Sequence, residues 1–227
     1  MKKKKTIIVT GSEGLLGKEI TKFLEKNNRV LKLDLRLGDD LSDEDYVKQW
    51  FSKNRGEYLV NCFAINDHIT NKRKKGTLFE YDLESFRNIM EVNVVSLFSV
   101  CREFARNNKN GGIVNFSSIY GLESPKPEMY NNSHKEIGYC VSKSGVINLT
   151  KYLAVHLAPQ IKVNCIVPGG IENNQSQEFR KKYSNSTPLK RMMKKEELNG
   201  LVDFLCSEKS SYTTGSILVV DGGYSIW

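Results

Sequence analysis

The stretch Thr6-Ile-Ile-Val-Thr-Gly11-Ser-Glu-Gly14-Leu-Leu-Gly17 decides the architecture of this chain. Thr6–Thr10 is short, apolar and rich in β-branched residues, which is the signature of a buried strand. Glycines follow at every third position, and beyond them Leu16, Ile20, Phe23 and Leu24 recur with helical spacing. A glycine-rich turn between a strand and a helix lets backbone N–H groups and the helix N-terminus meet a pyrophosphate. As a bare spacing of glycines the pattern says little, but between a strand and a helix it becomes informative. Gly11, Ser12, Glu13, Gly14, Leu15 and Gly17 are the expected nucleotide contacts.

A second strand, Arg29–Leu33, ends in Asp34, 23 residues after Gly11. A carboxylate there can accept hydrogen bonds from both hydroxyls of an adenosine ribose and repels a 2′-phosphate. This favours NAD(H) over NADP(H), which stays possible because Arg36 lies two residues on; a loop-capping aspartate is the plain structural alternative. Only five residues separate Asp34 from Asp40-Leu41, where a doubly wound fold has a helix and a further strand. Ser42-Asp-Glu-Asp45 then reads as a helix start with a capping box, leading to Val47, Trp50 and Phe51. One crossover helix is missing on this reading, and the third strand is short or absent.

Short apolar runs continue to alternate with helical patterns, which argues for a parallel sheet with helices on both faces. Glu57–Phe63 is the strand a doubly wound fold counts as fourth, and a basic loop, Lys72-Arg73-Lys74-Lys75-Gly76, follows it. That loop reads as solvated surface, with an anionic substrate such as a sugar nucleotide as the functional alternative. Asp82 caps a long helix reaching Arg106, with Asn93 in the middle of its apolar side. A buried mid-helix asparagine is either a satisfied core residue or a functional one. Gly112–Phe116 is the fifth strand and delivers Ser117 and Ser118 to the carboxyl edge of the sheet, where ligands bind in open α/β folds. Ile161–Val167 ends in Pro168-Gly169-Gly170-Ile171; Ser176–Leu189 is a polar lid candidate. A last helix over Lys195–Ser207 and a last strand, Ile217–Val220, complete the series.

Tyr139-x-x-x-Lys143 carries the chemistry. Residues four apart on a helix share a face. A free tyrosine has a pKa of about 10, and an ammonium one turn away favours the tyrosinate, which suits general acid–base work. A serine hydroxyl beside it can hold a substrate oxygen.

The chain has 227 residues, 39% hydrophobic and 26% charged, enough for one domain over 1–227 and without an apolar run of membrane-spanning length. Met1–Thr10 is not read as a signal peptide, because its apolar part stops at Val9. The net charge of +8 permits nucleic-acid binding without demanding it, and no basic–aromatic platform predicts it. Cys62, Cys101, Cys140, Cys165 and Cys206 show no C-x-x-C, and His68, His134 and His156 have no metal-ligand spacing. The reading is reduced thiols in a cytoplasmic protein, with no metal and no membrane partner.

Taken together, Thr10-Gly11-x-x-Gly14-x-x-Gly17, Asp34, Asp40-Leu41, Asn93, Ser118-x-x-Gly121, Tyr139-x-x-x-Lys143, Pro168-Gly169 and Thr214-Gly-x-x-Leu-x-Val-Asp-Gly-Gly223 resemble the short-chain dehydrogenase/reductase family over nearly the whole chain. The resemblance implies a Rossmann-like doubly wound fold and an oxidoreductase acting on CH–OH groups. It makes Tyr139 the acid/base, Lys143 the residue that holds the nicotinamide ribose, Ser118 the substrate-orienting hydroxyl and Asn93 the support of a proton relay. It also implies that Asp40, Leu41, Asn61, Ala64, Pro168, Gly169 and Ile171 line the cofactor, and that the chain forms a dimer or tetramer through its long helices. Several features depart from the family pattern. The glycine turn is spaced as in the longer members that act on nucleotide sugars, the family's N-N-A-G turn is Asn61-Cys62-Phe63-Ala64, and Asn173 replaces a threonine near the carboxamide. The gap from Ser118 to Tyr139 is 20 residues, which makes a long substrate loop, Leu122–Ile137. The loop, the Pro168-Gly-Gly-Ile171 segment and the ending Val220–Trp227 are similar to a bacterial branch linked to flagellin modification and surface-sugar synthesis. A sugar or sugar-nucleotide substrate is the expectation. The alternatives are a 3-oxoacyl-thioester or small-ketone reductase using NADPH, and a non-catalytic nucleotide-binding scaffold.

Overall fold

A computed structural model of the protein describes residues 4–66, 78–130 and 135–227. Lys72–Gly76, His68, His134 and part of the long loop before α5 lie outside them. Six parallel strands stand in the order β2-β1-β3-β4-β5-β6: β1 (Thr6–Thr10), β2 (Arg29–Leu33), β3 (Tyr58–Asn61), β4 (Gly111–Phe116), β5 (Ile161–Pro168) and β6 (Ile217–Val220). The strand order reverses at β1, so a crevice opens at the carboxyl ends of β1 and β3.

Both faces of the sheet are covered, which is why its strands read as continuous apolar runs. Ile7 and Val9 point to one side, where Ile20 and Leu24 of α1 (Leu15–Leu24) and Val202 and Leu205 of α7 (Asn199–Leu205) meet them. Ile8 points to the other, against Val47 and Phe51 of α2 (Glu44–Lys53) and Val100 and Phe104 of α4 (Leu97–Asn107). α5 (Ile137–Leu157) packs on that same side through Val146, Ile147, Leu153 and Ala154.

The structure corrects one expectation, the cap of α2, and adds detail to three others. No strand stands between β2 and β3 among the described residues: β2 leads through a 3-10 turn, Leu35–Leu37, to α2, so Tyr58–Asn61 is the third strand and Gly111–Phe116 the fourth. The cap of α2 is Asp43, accepting from the N–H groups of Asp45 and Tyr46 at 2.9 and 3.0 Å, because the Ser42 hydroxyl is turned to Asp40. The long helix after Asp82 is α3 (Leu83–Met90), a π-helical segment Glu91–Ser96, and α4. The polar segment taken as a lid holds a helix, α6 (Gln177–Asn185), started by the Ser176 hydroxyl and anchored by buried Tyr183.

The carboxyl edge is tied by buried polar side chains. Thr10 donates to Asn61 Oδ1 at 2.9 Å, Asn61 Nδ2 donates to Asn115 Oδ1 at 2.9 Å, and Asn115 Nδ2 donates to the Thr150 hydroxyl at 3.0 Å. The chain crosses β1, β3, β4 and α5. Asn115→Ala removes two of these bonds and leaves Asn61 and Thr150 buried with a partner gone, which costs about 2–4 kcal/mol. Urea unfolding measures it; a loss under roughly 0.5 kcal/mol would show that the chain does not hold the edge.

Candidate active site

Gly11 ends β1 with φ +66°, and a Cβ on it would lie 2.5 Å from the Phe63 nitrogen. A Cβ on Gly17 would lie 2.0 Å from the Gly11 carbonyl oxygen, so the first turn of α1 presses directly on the loop. Gly14 is the N-cap of α1 and offers no side-chain acceptor, which leaves first-turn N–H groups for a ligand. The Ser12 hydroxyl is buried beside this turn without a partner. A pyrophosphate fits this cradle: the backbone can approach it, donors are uncapped, and the helix dipole favours the charge.

Asp34 follows β2, buried, with Oδ2 accepting from the Glu13 N–H at 2.9 Å and Oδ1 from the Arg36 N–H at 2.9 Å. Arg36 reaches across the glycine turn to the Glu13 carbonyl at 3.0 Å. Asp39 accepts from the Asp34 N–H at 2.9 Å and from the Tyr46 hydroxyl, which stiffens the short loop. The Asp40 carboxyl is held below its usual value by hydrogen bonds from the Ser42 hydroxyl and N–H.

β4 delivers the serines. Ser117 is spent on structure: its hydroxyl donates to the Lys143 carbonyl at 2.7 Å. The Ser118 hydroxyl accepts from the Tyr120 N–H at 3.3 Å at the start of a 3-10 turn, Ile119–Gly121. Gly121 is required there, since a Cβ would lie 2.6 Å from the Ser117 hydroxyl and 2.7 Å from the Lys143 carbonyl. The S-x-x-G spacing thus clamps the serine turn against α5.

On α5, Tyr139 and Lys143 share a face. The Lys143 Nζ is 5.6 Å from the Tyr139 ring centroid and donates to the Phe116 carbonyl at 2.9 Å. Burial pulls the ammonium down to about 8, partly opposed by Cys165 and Cys62. Burial pushes the Tyr139 phenol up to about 12, and the contribution in the other direction comes from the Ser118 hydroxyl. The sequence argument credited Lys143 with lowering this pKa; desolvation wins instead, and the tyrosine is held as an acid.

Asn93 lies in the π segment, buried. Its Oδ1 accepts from the Ile65 N–H at 2.8 Å, and its Nδ2 donates to the Ile65 carbonyl at 3.0 Å and to the Ser142 hydroxyl at 3.0 Å. Ser142 in turn donates to the Tyr139 carbonyl at 2.8 Å. Asn93 therefore ties the segment after β3 to the first turn of α5.

A cleft of about 1140 Å³ joins these parts. Gly11, Gly14, Leu15, Asp34, Asp40, Leu41, Ala64, Ser118, Tyr139, Lys143, Pro168, Gly169 and Ile171 line it, whereas Ser12, Glu13, Gly17, Asn61 and Asn93 do not. Asn61 is committed to Thr10, Asn115 and Cys101. Sequence reasoning named the substrate loop Leu122–Ile137 and the segment Ser176–Leu189 without singling out the side chains in them that line the cleft, Tyr130, Lys135, Phe179 and Tyr183, and it missed Tyr120. The spacing of Phe179 and Tyr183, four apart, was the available signal for a helix facing the cleft. Among the described residues no group of three or more His, Cys, Asp or Glu is arranged to hold a metal ion.

Residues 6–225 match the family model described as Enoyl-(Acyl carrier protein) reductase. The chain is 30% identical to the 3-oxoacyl-(acyl-carrier-protein) reductase FabG of Aquifex aeolicus over 229 residues, 96% of this chain and 86% of that protein. It is 37% identical to the D-arabinitol 2-dehydrogenase (ribulose-forming) of Candida tropicalis over 271 residues, 98% of this chain and 93% of that one. Among solved structures, a short chain dehydrogenase from Leptospira borgpetersenii with bound NAD+ superposes with a TM-score of 0.86 at 30% identity, covering 99% of this chain and 94% of the other.

Proposed function

This chain belongs to the short-chain dehydrogenase/reductase family, and from that premise we propose an NAD(H)-dependent enzyme that interconverts a secondary alcohol and a ketone on a sugar or sugar-nucleotide substrate. The family acts on CH–OH groups with nicotinamide cofactors. The observation that carries the NAD(H) reading is the Asp34 carboxylate, which follows β2 and faces the cleft where an adenosine ribose would lie. A sugar substrate is supported by the aromatic wall of Tyr120, Tyr130 and Phe179, flat apolar faces edged with hydroxyls. The kinship to D-arabinitol 2-dehydrogenase points the same way.

In this reading the glycine turn and the N-terminus of α1 bind the pyrophosphate, and Asp34, Asp40 and Leu41 enclose the adenosine. Tyr139 hands its proton to the carbonyl oxygen in reduction and takes it back in oxidation, while the Ser118 hydroxyl orients that oxygen. Lys143 holds the ribose and stabilises negative charge on Tyr139 when the proton leaves. Both N–H bonds of the Asn93 amide are spent on Ile65 and Ser142, so the support it gives a proton relay is positional. A bound nicotinamide supplies or accepts the hydride.

A second reading, a 3-oxoacyl-thioester or small-ketone reductase using NADPH, is favoured by exposed Arg36 beside Asp34 and by the FabG kinship. On this reading the whole chain, 1–227, acts as one domain, and its reduced thiols fit the cytoplasm. Among the described residues no helix is long and apolar enough to cross a membrane. It forms a dimer or tetramer through α4 and α5, where Phe98, Val141, Tyr152 and Val155 are exposed, Val155 at 75%.

Paired fluorescence titrations of the protein with NADH and NADPH are expected to show tighter NADH binding. Preference for NADPH would overturn the Asp34 argument and favour the second reading. Tyr139→Phe is expected to abolish turnover while leaving NADH affinity close to wild type; near wild-type turnover would remove Tyr139 from the mechanism. Because burial raises the Tyr139 pKa, the neutral acid dominates at neutral pH, so alcohol oxidation by the wild type is expected to gain rate as pH rises. Light scattering is expected to give a dimer or tetramer, and a monomer would dismiss the helix interface.

A further inference from the structure

The acidic groups of the cleft are confined to one end. Asp34, Asp39 and Asp40 all lie on the loop after β2, together with Arg36, at the adenosine end. Around Tyr139 the charged lining residues are Lys143 and Lys135. Lys143 is accounted for: it donates to Phe116 and is assigned to the ribose. Lys135 is not. It stands just before α5, half-buried, with its Nζ 4.6 Å from the Tyr139 ring centroid and one hydrogen bond, 2.7 Å, to Asn66 Oδ1.

An ammonium has three donors, and an amide oxygen satisfies one of them without neutralising the charge. No carboxylate forms an ion pair with Lys135 among the described residues. Glu136 and Cys140 attract it without pairing, and burial outweighs them, pulling the ammonium down to about 8. A cation withdrawn from water without a counter-charge costs free energy that an anionic partner recovers. The facing wall is uncharged: Tyr120 and Tyr130 share a hydroxyl contact of 2.5 Å, and burial pushes both phenols above their ordinary range. Among the described residues no carboxylate pairs with this ammonium, and the space beside it is where a substrate must sit to reach Tyr139.

We propose that Lys135 binds a carboxylate of the substrate close to the carbon that exchanges the hydride, so that this enzyme works on hydroxy acids and the matching oxo acids. The proposal rests on the oxidoreductase reading above and narrows its substrate. A carboxylate is favoured over a phosphate because, with Lys143 committed to the Phe116 carbonyl, one lysine and no arginine fork stand around Tyr139 among the described lining residues. A sugar acid satisfies both the lysine and the aromatic wall. Lys135 is then a specificity-determining residue, and its cation over the Tyr139 ring also favours the tyrosinate.

The test uses the full chain saturated with NADH and three probe pairs: pyruvate, acetoacetate and D-gluconate, each against its own amide, read by nicotinamide fluorescence. At least one acid is expected to bind roughly tenfold or more tightly than its amide. Lys135→Met is expected to erase that preference, Lys135→Arg to keep most of it, and both to leave NADH affinity unchanged. The proposal is overturned if no acid exceeds its amide in the wild type, or if the preference survives Lys135→Met. Failure of NADH itself to bind would instead overturn the cofactor reading, which keeps the two failures apart.

Discussion

Every functional segment of this molecule hangs from one line of buried hydrogen bonds, Thr10 to Asn61 to Asn115 to Thr150. Buried amides and hydroxyls without partners are costly, so each member fixes the relative height of the elements it joins. β1 carries the glycine turn, β3 the Cys62–Asn66 segment, β4 the serines, and α5 the tyrosine and lysine. A slip of one strand by a residue would break the line and turn apolar side chains to the wrong face. Asn93 adds a second tie above it, from Ile65 to the turn of α5 that holds Tyr139.

Within that frame the electrostatics of the site follow from what burial does to each charge type. Desolvation penalises the ionised form, so it drives the phenol up and both ammonium groups down. The result is a neutral tyrosine between two cations whose charges are only loosely held. Such a pocket is poised to accept negative charge. The acidic end of the cleft, in contrast, is satisfied by backbone donors from Glu13 and Arg36 and by Ser42.

The fold was largely legible in the sequence because a parallel sheet covered on both faces writes its strands as bare apolar runs. β1, β2, β5 and β6 were readable almost to the residue, and the closeness of Asp34 to Asp40 announced the missing crossover. Spacing put Tyr139 and Lys143 on one helix face and a serine pair at a strand end, but the choice of Ser118 over Ser117 and the roles of all three came with the family resemblance. The π segment around Asn93 leaves no such trace; there the asparagine amide is claimed by Ile65 and Ser142, from other elements. α6 was hidden by its polarity, being held by two aromatic residues on one face. Lys135 was invisible for a different reason: it sits in a loop, and its meaning depends on which charges are absent around it in space.

The abbreviated crossover has a consequence at the margin of the sheet. Among the described residues no strand lies beyond β2, so its backbone edge could recruit a foreign strand. Its sequence, Arg-Val-Leu-Lys-Leu, answers this hazard: Arg29 and Lys32 stand exposed along the margin, and Lys32 is tied to Glu25 at 2.7 Å. A second copy aligned edge to edge in parallel register would place like charges against each other. The strand at the margin thus carries charges that disfavour edge-to-edge pairing.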